Sequence, residues 1–150
     1  MKDISYGKYL NLQKCSTRNG ALSILALDHR NNLRKALNPQ DPASVKNETL
    51  TDIKLDISSN LSGCASAILL DPEVGVFPAV ANKAIARSCG LVVALEATGY
   101  TGNPAERESG ILDGWSVEKV KMLGANAVKL LVYYHPESKT APQKIRSSSG

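Results

Sequence analysis

Residues 124–135 read "GANAVKLLVYYH", an apolar run of strand length with a lysine at its centre. Side chains alternate along a strand, so Lys129, Leu131 and Tyr133 share one face. An ammonium in such a run is unfavourable unless it is paired, so Lys129 needs either a carboxylate partner or a chemical task. Working outward, three more branched-residue-rich runs appear: "ALSILAL" (21–27), "ASAILL" (65–70) and "LVVAL" (91–95). Each of these three is followed by a carboxylate: Asp28, Asp71 and Glu96.

Segments with helical spacing separate the runs. From Ser44, a candidate N-cap, to Leu61 the spacing of Leu50, Ile53, Ile57 and Leu61 predicts a helix, with Lys46, Glu48, Asp52, Lys54 and Asp56 mostly on its solvated side. "PAVANKAIARSC" (78–89) predicts a second helix stopped by Gly90. "SVEKVKMLG" (116–124) predicts a third, capped by Ser116 and Gly124. Strands alternating with helices indicate a parallel α/β sheet with right-handed crossovers. The turn-rich segment 96–115, "EATGYTGNPAERESGILDGW", has the length of a functional cover or a disordered loop and matches no nucleotide-binding glycine pattern. Residues 139–150 read as a disordered tail, which leaves 1–138 for the folded part.

By the same alternation Leu22, Ile24, Ala26 and Asp28 share a face, as do Ala65, Ala67, Leu69 and Asp71, and Gly90, Val92, Ala94 and Glu96. Ligands of parallel α/β folds bind at the carboxyl ends of the strands, so Asp28, Asp71 and Glu96 are expected around one mouth, with Lys129 deeper or beside them. Lys129 could be half of a structural ion pair, an amine nucleophile, or an electrostatic partner of a substrate oxygen. A nucleophile must be neutral, and flanking carboxylates hold a lysine protonated, which favours the electrostatic role. Asp71 heads an Asp-Pro pair, where turn chemistry already accounts for a carboxylate. His29 and Arg30 follow Asp28 and could meet an anionic group at the rim, although a lone histidine at such a turn is commonly structural. His135 has a weaker claim, and neither histidine has further ligands at metal spacing.

The rest of the chain narrows the function classes. At 150 residues it can bury one core, yet a complete (β/α)8 barrel needs about 250. The first twenty residues lack the apolar centre of a signal peptide, and no run has the length of a membrane span. Cys15, Cys64 and Cys89 are odd in number and widely separated, which argues against a disulfide framework or a zinc site and for a reducing cytoplasm. The net charge of +4 is spread without a basic block, so nucleic acid is not an expected partner, whereas a phosphorylated sugar would suit it.

The runs "NGALSILALDHRNNLRKAL", "ASAILLDPEVG", "GLVVALEATGY" and "LDGWSVEKVKMLGANAVKLLVYYHPES" together resemble the class I tagatose-1,6-bisphosphate aldolase family from about Asn19 to Ser138. The resemblance implies the N-terminal half of a (β/α)8 TIM barrel, with four parallel strands and crossover helices. It also implies cleavage of a ketose phosphate to dihydroxyacetone phosphate and an aldehyde through a Schiff base, without metal or other cofactor. On the matching positions Asp28 corresponds to a substrate-contacting aspartate. Lys129 corresponds to a lysine that holds substrate oxygens and helps keep the nucleophilic lysine neutral, and Glu96 to a glutamate at the rim of the third strand. His29 stands where the family has glutamine and Ala97 where it has lysine, which bears on substrate choice. The family's Schiff-base lysine, acid/base glutamate and main phosphate site lie on strands five to eight, beyond residue 150. The expectation is therefore a truncated, frameshifted or fragmentary chain, inactive alone, that forms homo-oligomers or pairs with a complementing C-terminal half. The alternatives are a non-catalytic half barrel that binds a sugar phosphate or a partner chain, and a small flavodoxin-like open sheet.

Overall fold

The four apolar runs become the four strands of one sheet in the computed structural model, which describes residues 4–97 and 109–133. They are β1 (Ile24–Leu27), β2 (Ala67–Leu70), β3 (Gly90–Ala94) and β4 (Ala127–Lys129), all parallel and adjacent in chain order. The α-helices among the described residues are α1 (Tyr6–Lys14), α2 (Asn31–Leu37), α3 (Asn47–Leu61), α4 (Val76–Ala81) and α5 (Val117–Met122). The pairing sets Ala26, Leu69, Val92 and Ala127 in one row across the sheet, and Ala94 beside Lys129 one step further on. Consecutive parallel order with crossover helices is the arrangement of half a (β/α)8 barrel. It also leaves β1 and β4 as the edges of the sheet.

The two faces differ in their cover. On the outer face Ile68, Leu70, Leu91, Val93 and Leu95 form one apolar cluster with Val76 and Ala79 of α4 and Val120 of α5. On the inner face Ala67, Leu69, Val92 and Ala94 cluster only with Cys15 and Ala127, while Leu22 and Ile24 stand exposed. Cys15 lies there because α1 crosses the amino end of the sheet, where Asn11 meets Asn126. A Cβ on Gly90 would sit 2.7 Å from the Lys14 carbonyl oxygen, so only glycine lets helix and strand approach this closely.

Several sequence expectations are corrected here. The helices α1 and α2 are additional to the three expected. The helix expected from Ser44 begins at Asn47, because Pro42–Ser44 forms a 3-10 turn in which Ser44 Oγ donates to the Asp41 carbonyl instead of capping. Its fully buried positions are Leu50, Lys54 and Ser58, one turn apart, whereas Leu61 is exposed. The second helix covers 76–81 and not 78–89: Lys83 takes a left-handed φ of 54°, and the chain turns back toward the start of β3. The third is as expected, with Ser116 Oγ accepting from Lys119 N and Gly124 at φ 87° beyond its end. The fourth strand stops at Lys129, since the chain beyond β3 is engaged elsewhere: Glu96 bridges Ile111 in antiparallel fashion, and Leu95 and Ala97 bond to Leu112 and Gly110. His135, most of the turn-rich loop and the 139–150 tail lie outside the described residues.

Candidate active site

The end of β4 sets Lys129 on the inner face, level with Ala94 of β3. Two residues past that level on β3, alternation returns the chain to the same face at Glu96, and one residue past β1 it does so at Asp28. The three side chains meet. Lys129 Nζ donates to Asp28 Oδ2 at 2.8 Å and to Glu96 Oε1, so one ammonium bridges the two carboxylates across the sheet. Burial by itself pushes this ammonium down, but the hydrogen bonds and charges of Asp28 and Glu96 outweigh it and hold Lys129 above the ordinary lysine value. It is therefore protonated at neutral pH. Glu96 is 3% exposed, and its second oxygen, Oε2, is buried without a hydrogen-bond partner among the described residues.

The triad lies in a cleft of about 770 Å³ at the carboxyl end of the sheet, with Ala26 and Leu69 in its lining and His29, Arg34 and Lys35 around it. Of the residues expected from sequence, Asp28, Lys129, Glu96, His29 and Arg30 all line this cleft. Arg30 is set differently from a free rim cation. It is 6% exposed, its Nη1 is paired with Glu73 of the loop after β2, and its Nη2 donates to the Glu96 carbonyl at 2.9 Å. The guanidinium thus ties the ends of β1, β2 and β3 together. His29 is exposed and also lines a smaller apolar cleft of about 210 Å³ between α2 and α3.

Asp71 does not join the mouth. The chain leaves the extended conformation at Asp71–Pro72, and strand alternation ceases to apply there. Asp71 Oδ1 accepts from Glu73 N at 3.0 Å and Val74 N at 2.9 Å, closing the turn, while Oδ2 pairs with Lys54 of α3. Both partners are fully buried. Sequence reasoning placed Lys54 among solvated positions, yet its i, i+4 spacing from Leu50 and Ser58 was a signal for the buried stripe. Arg34, Lys35 and Glu73 were also missed; two adjacent cations in an unforeseen seven-residue helix carry little periodicity to find them by. Among the described residues no group of three or more His, Cys, Asp or Glu is arranged to hold a metal ion, and no helix is long and apolar enough to cross a membrane.

Comparison with known proteins bears on the family of this fold. The family model described as DeoC/LacD family aldolase matches residues 22–148. The tagatose 1,6-diphosphate aldolase 2 of Streptococcus agalactiae serotype III (strain NEM316) is 37% identical over 127 residues, which cover 85% of this chain and 38% of that protein. The tagatose 1,6-diphosphate aldolase of Lactococcus lactis subsp. lactis is 36% identical over 131 residues, covering 87% and 39%. That of Staphylococcus epidermidis (strain ATCC 12228 / FDA PCI 1200) is 38% identical over 130 residues, again covering 87% and 39%. The chain thus spans less than two fifths of the length of the curated relatives it matches. A match to the family model along most of the chain, on a parallel sheet with half the strands of a barrel, has one consequence: the chain belongs to the DeoC/LacD aldolase family.

Proposed function

We propose that this chain carries the substrate-holding part of a class I aldolase that cleaves a ketose phosphate or bisphosphate, such as tagatose 1,6-bisphosphate, to dihydroxyacetone phosphate and an aldehyde. The observation that carries this reading is the Lys129 ammonium bridging Asp28 and Glu96 on the floor of the cleft. In the reaction a lysine amine attacks the substrate ketone and water leaves. The resulting iminium accepts the electron pair of the breaking carbon–carbon bond, and a carboxylate takes the proton from the adjacent hydroxyl. Lys129 would hold substrate oxygens and, as a fixed positive charge, would depress the pKa of a neighbouring amine. Asp28 would accept from substrate hydroxyls, with Glu96 holding the Lys129 ammonium beside it and His29 and Arg30 at the rim. The names of the relatives support the bisphosphate class.

The nucleophile of this scheme is not Lys129, nor is it the fully buried Lys54, because each is paired with carboxylate. The 150-residue chain alone should therefore give no borohydride-trapped adduct with dihydroxyacetone phosphate. Mass added to Lys129 would overturn its assigned role. The larger reading is tested by a chimera in which residues 19–138 replace the matching part of the Streptococcus agalactiae relative. Cleavage of tagatose 1,6-bisphosphate that disappears in Lys129→Met is the expected result, and a folded but inactive chimera would sink it.

Two observations favour a second reading, a non-catalytic half barrel that binds a sugar phosphate or pairs with another chain. The strands β1 and β4 are sheet edges, and Leu22 and Ile24 are exposed on the inner face. Light scattering on the purified chain should show a dimer or larger species, and a well-behaved monomer would count against it. Cys15, Cys64 and Cys89 are free thiols, which supports a reducing, cytoplasmic setting.

A further inference from the structure

The two carboxylates of the cleft triad stand just beyond their strands. Asp28 follows β1 by one residue and Glu96 lies two residues past β3, with an isolated antiparallel bridge to Ile111. Neither is held by the parallel ladder, yet one Lys129 ammonium reaches both. Arg30 joins the two segments. It comes two residues after Asp28, at the start of α2, and its Nη2 donates to the main-chain carbonyl of Glu96 itself at 2.9 Å. Its Nη1 is paired with Glu73, in the turn that Asp71 closes. The residue is 6% exposed, with Nη1 and Nη2 engaged by protein partners and Nε buried. An arginine held in this way acts on the segments it joins, not as an open cation. Its planar fork fixes distance and direction together, which a single ammonium does not.

We infer that Arg30 is the positioning residue of the triad: its guanidinium latches the segment that carries Asp28 to the segment that carries Glu96, and so sets the separation at which one Lys129 ammonium bridges both. Glu73 fixes the direction of the guanidinium. Arg30 thereby acts on the chemistry through Glu96 and Lys129, without touching substrate. The inference rests on the aldolase reading for what the triad does to a substrate, while the latch itself is read without activity. It matters because Lys129 acts on substrate oxygens from a fixed place, and a displacement of about 1 Å at such a site costs up to about a hundredfold in rate.

The test is an NMR titration of the Lys129 ammonium in the 150-residue chain labelled at lysine, with the signal assigned by its loss in Lys129→Met. In the parent chain the midpoint should lie above the ordinary lysine value. Arg30→Met should move it down, because the carboxylates that raise it are no longer held together. Loss of a positive charge by itself has the opposite sign, since a like charge disfavours the ammonium. Lys35→Ala, which removes an exposed cation of the same cleft, should therefore leave the midpoint in place or move it up. Arg30→Lys keeps the charge but not the fork and should move the midpoint down by less than Arg30→Met. It is the safer variant for folding and decides alone if Arg30→Met unfolds. A midpoint unchanged or raised in every folded Arg30 variant would overturn the latch. In an active chimera Arg30→Lys should lower kcat by at least about tenfold and leave KM within about twofold. A higher KM at unchanged kcat would make Arg30 a substrate-binding cation and overturn the positioning role. A titration that behaves as expected beside an inactive chimera would lose the aldolase reading alone.

Discussion

Among the described residues two lysines are held by carboxylates, one on each side of the sheet, and they differ in almost everything else. Lys54 is 1% exposed and reaches from α3 to the Asp71 turn, with both partners sealed in protein. The Lys129 side chain is 32% exposed and opens onto a cleft of about 770 Å³. Deep burial and pairing therefore do not by themselves mark a lysine as a candidate for the site. What marks Lys129 is its place on the inner face at the carboxyl end of a parallel strand, with solvent on one side. Lys54 belongs to the scaffold: it anchors the turn whose Glu73 holds Arg30, which in turn holds the backbone of Glu96.

That contrast can be broken by substitution, and the largest effect is expected at the buried pair. Lys54→Met leaves a fully buried Asp71 carboxylate uncompensated and should destabilise the fold by about 3–5 kcal/mol in urea unfolding. Combining it with Asp71→Leu removes the orphaned charge and should recover part of the loss. The recovery is incomplete, because Asp71 also closes the turn through Glu73 N and Val74 N. If Lys54→Met is neutral, the scaffold role of that pair is wrong.

Lys129→Met should destabilise less, by about 1–3 kcal/mol, because water in the cleft can solvate the carboxylates left behind. In the chimera with the Streptococcus relative the same change should lower aldol cleavage by at least about a hundredfold, as loss of a fixed charge at a reacting centre does. A stability effect larger than that of Lys54→Met would erase the distinction between the two lysines.

A sharper probe uses pH. The folded-state value of Lys129 is raised, so its stabilising contribution is fully present below the ordinary lysine value of about 10.4 and is lost as pH rises through the raised folded value. The stability gap between the parent chain and Lys129→Met should be flat near neutrality and narrow only in alkali. A gap that narrows between pH 6 and 8 would contradict the protonated ammonium. Two smaller effects complete the series. Glu73→Gln removes a partner of Arg30 that is itself half exposed, and should change stability by no more than about 1 kcal/mol. Burial pushes the Cys15 and Cys89 thiols up, while Cys64 is exposed. Alkylation should modify Cys64 at least about tenfold faster than the other two, by mass spectrometry of the folded chain.

The strands were legible because a parallel sheet covered on its outer face demands short runs of branched residues, and those runs are conspicuous in this sequence. The cleft triad was legible for a related reason: with a period of two, Asp28, Glu96 and Lys129 must return to the inner face whatever the helices do. The same rule failed at Asp71, where proline bends the chain out of the extended state and carries the carboxylate toward α3. The helices were read less well. In α3 the apolar positions Leu50, Ile53, Ile57 and Leu61 suggested one face, but the helix sits with its Leu50–Lys54–Ser58 stripe innermost because Asp71 lies beneath it. The short helices α1 and α2 have no strong apolar period; α1 is held through Cys15 and Asn11 at the amino end of the sheet.

The sequence by itself determined the parallel α/β class, the family and the inner-face position of Asp28, Glu96 and Lys129, because strand alternation and motif are local properties of the chain. Only the tertiary structure decided which lysine is buried for stability, what holds Arg30, and which cations of α2 reach the cleft. Those outcomes depend on how separate elements rotate and meet, and ion pairs 17 and 43 positions apart in the chain leave no periodic trace in it.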